Sequence, residues 1–179
     1  MSENPNSVVQ AVQESVVNLL ELVSQAACEQ NGQELEALRE DAKTTVLMLI
    51  AALVLADDKY AAGERAFVNQ LVGANQKSGG AARYLNEYAE RWETAAMQVP
   101  RFFQAGIDHD NRYHTELAQG MIREIQFVGN NACVIDGHYE ATENRVVRNY
   151  ISFLELYLAE WRAQNAAPPK EAAEGWSSV

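Results

Sequence analysis

The pattern Asp-x-x-Tyr-x-x-x-Glu occurs twice in this chain, each time between two helix-like segments. The first copy reads Asp57-Asp58-Lys59-Tyr60-Ala61-Ala62-Gly63-Glu64 and the second Asp136-Gly137-His138-Tyr139-Glu140-Ala141-Thr142-Glu143. The shared offset reaches past the corners. Met48, Leu55, Tyr60, Phe67 and Val68 correspond to Phe127, Val134, Tyr139, Val146 and Val147, all apolar or aromatic in both copies. Two similar helix pairs, packed about an approximate two-fold axis, would bury both apolar faces in one core. The doubling therefore predicts an all-α, single-domain bundle of about seven helices with a duplicated helix–corner–helix unit.

Hydrophobic periodicity sets the expected elements. Val8, Val9, Val12, Val16, Leu19, Leu20, Val23 and Ala27 fall mainly at three- and four-residue steps, so a helix is expected from near Val8, capped by Ser7 and ended by Asn31-Gly32. A second helix, about 34–56, is charged in its first half. From Val46 to Leu55 it is apolar on nearly every face, and such a helix must be surrounded by others. Further helices are expected over about 62–74, 81–97, 100–107, 113–134 and 142–163. Asp108-His109-Asp110-Asn111 reads as a turn or capping loop. Residues 1–6 and 164–179 read as disordered ends around a helical domain spanning 7–163. No segment shows the period-two alternation of a strand.

With 179 residues the chain can bury one core and not two comfortable ones. The net charge of −11 repels nucleic-acid phosphates and anionic headgroups and attracts cations or a basic partner, although solubility alone explains such a charge. Cys28 and Cys133 lie in apolar helical patterns and read as small core residues, with no disulfide framework. There is no basic, apolar leader at the start of the sequence, and the apolar run at 46–56 is about half of what a bilayer span needs. A cytoplasmic protein without membrane insertion, at most peripherally associated, is the expectation.

The segments Ala56-Asp57-Asp58-Lys59-Tyr60-Ala61-Ala62-Gly63-Glu64-Arg65 and Ile135-Asp136-Gly137-His138-Tyr139-Glu140-Ala141-Thr142-Glu143-Asn144 are similar to the A-D-G-x-[I/V]-x-x-x-E signature of TerB-like tellurite-resistance domains. The N-terminal domain of a membrane-anchored DnaJ-like chaperone belongs to the same broad group. The resemblance covers about residues 34–160. It implies an all-helical, duplicated core, a link to bacterial stress and metal-oxyanion resistance, and no enzymatic activity. The chain departs from the pattern at Asp58, where the family usually has Gly, and at Ala61 and Glu140, where Ser, Thr or Asp is expected.

Two sets of residues are candidates for function. Asp57, Asp58, Glu64, Asp136, Glu140 and Glu143 gather at the corners and could offer oxygen ligands to a divalent cation such as Ca²⁺ or Mg²⁺. Neither corner has the acidic spacing of an EF-hand. A purely structural role is the simpler reading, in which each Glu accepts the orphan backbone N–H groups of the following helix and each Asp ties the turn. Tyr84, Tyr88 and Trp92 form an aromatic stripe at four-residue steps, which reads first as core and second as a groove for a partner helix. His109, Asp110 and His114 match no strong zinc spacing and read as solvated loop residues. No GxSxG, P-loop or dinucleotide fingerprint occurs, and no Glu-x-x-His pair of the kind di-iron bundles use. The expected function is a non-enzymatic module that binds protein partners, the alternative being a cation-binding or cation-sensing protein.

Overall fold

Helix-favouring residues with three- and four-residue apolar spacing build every element of the computed structural model, which describes residues 5–56, 80–134 and 141–165. Six helices and no strand occur among these residues: α1 (Pro5–Ala26), α2 (Gly32–Val54), α3 (Gly80–Ala95), α4 (Arg101–Tyr113), α5 (Leu117–Ala132) and α6 (Ala141–Asn165). The all-α class expected from sequence is what the chain adopts. The helix expected over 62–74 and both acidic corners, up to Glu140, lie outside the described residues.

The core is continuous. α1 contributes Val12, Leu19 and Val23, α2 contributes Leu49, Ile50 and Leu53, and α4 contributes Phe102, Phe103 and Ile107. Met121, Ile122, Ile125 and Val128 come from α5, and Tyr150, Ile151 and Leu154 from α6. Burying each of the larger side chains contributes about 1.5–3 kcal/mol. The second half of α2 is buried nearly all round, as its composition requires, and α2 touches α1, α3, α4, α5 and α6. Among the described residues, the most extensive contact between two helices is that of α1 with α5. Leu22, near the end of α1, packs on Gly120, near the start of α5. Contact that extensive, begun at those two ends, requires the helices to run antiparallel.

Three local expectations are corrected. Asn31 does not close α1. It stands in extended conformation as the N-cap of α2, its side chain accepting a hydrogen bond from the Glu34 amide at 3.0 Å. Asp108–Asn111 is not a turn but the last stretch of α4. The chain reverses at His114, whose φ of 55° lies in the left-handed region where a non-glycine residue is uncommon. Cys28 is exposed rather than buried, because the helix has already ended at Ala26, whereas Cys133 is buried as expected.

The duplication can be followed only at a few positions. Met48 is buried on α2, while its counterpart Phe127 is 48% exposed on α5. Leu55 and Val134 are both half-buried, and Val147 is buried.

Candidate functional site

Two surface clefts flank the place where α4 meets α2. The smaller, about 320 Å³, lies between the end of α1, the start of α2 and one face of α4. Its α4 face carries Arg101, Gln104, Asp108, His109 and Arg112, all on one side at helical spacing. Arg101 pairs with Glu34 at 2.7 Å, and Arg112 pairs with Glu29. The Tyr113 hydroxyl also donates to Glu29 and, with Arg112, holds that carboxyl below its usual range. The hydrogen bond to Glu29 pushes the Tyr113 phenol above its usual range. These pairs join both ends of α4 to the α1–α2 corner.

Between the pairs, each polar group is fixed from behind. The Tyr157 hydroxyl donates to Gln104 at 2.8 Å, and Gln104 donates to Asp108 at 2.9 Å. Asp110 accepts three hydrogen bonds, from the Thr115 hydroxyl at 2.6 Å and from the amides of Leu117 and Ala118 at 2.7 and 2.9 Å. It therefore caps α5 from the helix before it, since Glu116 at the N-cap position makes no side-chain bond. With its hydroxyl hydrogen on Asp110, Thr115 is left as acceptor for Nδ1–H of His109 at 2.9 Å. Asp110 is thus spent on capping, and it forms no metal site with His109 and His114. Among the described residues no group of three His, Cys, Asp or Glu side chains could hold a metal ion.

The larger cleft, about 590 Å³, opens between α2 and α3. Asp41, Thr44, Thr45 and Met48 line it from α2, Glu90, Arg91, Thr94 and Ala95 from α3, Gln98 to Pro100 from the connecting turn, and Arg101 from the start of α4. Asp41 accepts a hydrogen bond from the Phe102 amide at 3.2 Å and so caps α4, whose own N-cap residue is Pro100. Met97, in the connecting turn, is 76% exposed.

The residues singled out from sequence fall in different places. Asp57, Asp58, Glu64, Asp136 and Glu140 lie outside the described residues. Glu143 sits in the first turn of α6, buried, where its charge acts on the Cys133 thiol. Burial first and Glu143 second push that thiol up to about 12. Trp92 is 8% exposed and packs edge-on against Tyr150, with ring centroids 4.8 Å apart, so it belongs to the core. Tyr88 is half-buried with the Arg91 guanidinium 5.6 Å from its ring centre. Tyr84 lies on α3, and its side chain lies outside the described residues. Sequence reading missed Asp41, Gln104 and Thr115. Each acts on a residue distant in sequence or around an unforeseen turn, and no local spacing announces that.

No described helix is long and apolar enough to cross a membrane. No protein-family model, curated protein or solved structure matches the chain.

Proposed function

We propose that this protein is a non-enzymatic helical module that docks a protein partner, as the TerB-like resemblance of its doubled acidic corner implies. The observation that carries this reading is the α2–α3 cleft, with Met97 exposed next in sequence to Gln98 of its lining. A methionine 76% exposed in the turn that forms one wall of a cleft gives a partner an adaptable apolar contact. Met48, Ala95, Val99 and Pro100 add apolar surface to the lining of the cleft, among threonines and charged groups, a mixed composition that suits a docking patch. A role in bacterial stress or metal-oxyanion resistance is what the resemblance adds to this reading.

The test is a photo-crosslinking residue placed at position 97 in the source cells, compared with one at position 21 on the exposed side of α1. One discrete adduct of reproducible mass at 97 and none at 21 is expected. Adducts at both positions alike, or at neither, would remove the docking surface from consideration.

A further inference from the structure

One stretch of α6 carries charge of the opposite sign to the whole molecule. A cleft of about 480 Å³ runs along the start of that helix, lined by Ala141, Asn144, Arg145, Arg148, Asn149 and Ser152. All but Asn144 are exposed, and their three- and four-residue steps put them on one side. No carboxylate is among the described residues of this lining. Glu143 is buried on the far side of the helix. The next carboxylate of α6, Glu155, stands seven residues past Arg148, about 10 Å along the axis.

The two arginines are unengaged where other cations are held. Arg39, Lys43, Arg101 and Arg112 are in ion pairs, and Arg91 lies over the Tyr88 ring. Among the described residues Arg145 and Arg148 make no ion pair, on a chain whose net charge is −11. Three residues apart on one face, they stand side by side. The amides of Asn144 and Asn149 and the hydroxyl of Ser152 add donors around them. Four residues beyond Ser152, on the same side, Leu156 is 62% exposed.

We propose that the start of α6 docks an acidic segment of a protein partner, two of whose carboxylates pair with Arg145 and Arg148. Two anions answer two cations that no described residue answers. A guanidinium can take a carboxylate through two parallel N–H···O bonds, which fixes orientation as well as charge. The overall charge selects among anions. At long range −11 repels a polyanion such as nucleic acid, whereas a short acidic segment meets the guanidiniums within the screening length. Leu156 offers a protein segment an apolar contact that a bare oxyanion cannot use. None of these residues lines the α2–α3 cleft, so this surface stands or falls apart from the docking reading above.

The probe is acetylated, amidated hexaglutamate, titrated into the ¹⁵N-labelled full-length chain, with the same peptide carrying glutamine for glutamate as the neutral control. Saturable amide shifts confined to residues 141–152 are expected, with millimolar affinity. Arg145→Gln and Arg148→Gln should each weaken binding several-fold, and the double variant should abolish it. Melting temperatures should stay unchanged, because both side chains are exposed and unpaired among the described residues. Arg123 on α5, also exposed and without an ion pair among the described residues, is the internal control. Shifts around Arg123 as large as those on α6, shifts that the glutamine peptide reproduces, or binding that survives the double variant overturn the proposal. Inorganic phosphate that binds α6 as tightly as the peptide also overturns it, since the face then takes an oxyanion and not a protein segment.

Discussion

Asp110 shows how one carboxylate can decide where a helix begins. It takes two amides of α5 and the Thr115 hydroxyl across the reversal at His114. Asp110→Ala leaves those donors without their acceptor and is expected to cost about 2 kcal/mol, measured by urea denaturation, with Asp110→Asn losing about half as much. The two cysteines differ in a way that chemistry can read. With its pKa pushed up to about 12 by burial, Cys133 holds roughly one thiolate in ten thousand at pH 8, whereas Cys28 is open to reagent. Iodoacetamide at pH 8 on the folded chain should therefore label Cys28 alone by mass spectrometry, and both residues in urea. The same shift fixes a sign. A thiol whose pKa is raised by folding contributes stability that is fully present below its unfolded value near 9 and is lost as pH rises towards about 12. Cys133→Ala should flatten that alkaline decline in melting temperature.

At the level of single helices, much was written in the sequence, and the errors share one cause. The all-round apolar stretch of α2 and the stripes of α1 and α6 follow from periodicity, and that part of the reading needs no knowledge of neighbours. Asn31 and Asp108–Asn111 were misread because Asn, Asp and Gly mark turns only on average. Asn31 sits one residue the other side of the break, and Asp110 reaches forward to a helix not yet begun. The candidate clefts were less legible still, since Asp41 with Phe102, Gln104 with Tyr157 and Arg101 with Glu34 each join distant helices. Two glycines test how tightly the helices meet. A β-carbon at Gly106 would come within 2.9 Å of the Met121 sulfur, and one at Gly129 within 2.9 Å of both γ-methyls of Val147. Met121 can swing aside and Val147, branched at Cβ, cannot. Gly106→Ala should therefore change stability by less than about 1 kcal/mol, because helix propensity offsets the contact. Gly129→Ala should cost about 1–3 kcal/mol, with much of the loss recovered by adding Val147→Ala.

Taken whole, the molecule carries more negative charge than its ion pairs absorb. The Arg101–Glu34 and Arg112–Glu29 pairs are exposed, and such pairs contribute little. Self-repulsion from the net charge of −11 should dominate the response to salt. Raising NaCl from about 20 to about 300 mM is expected to raise the melting temperature by a few degrees, as scanning calorimetry would record. A fall over that range would show the ion pairs outweighing the repulsion. The antiparallel contact of α1 with α5 has a consequence for the chain in the making. The first helix leaves the ribosome with its valines and leucines bare, α2 and α4 cover part of it, and the helix that covers most of it is translated only after some ninety further residues. At 5–20 residues per second that is a delay of roughly 5–20 s, long enough for a nascent-chain chaperone to find it.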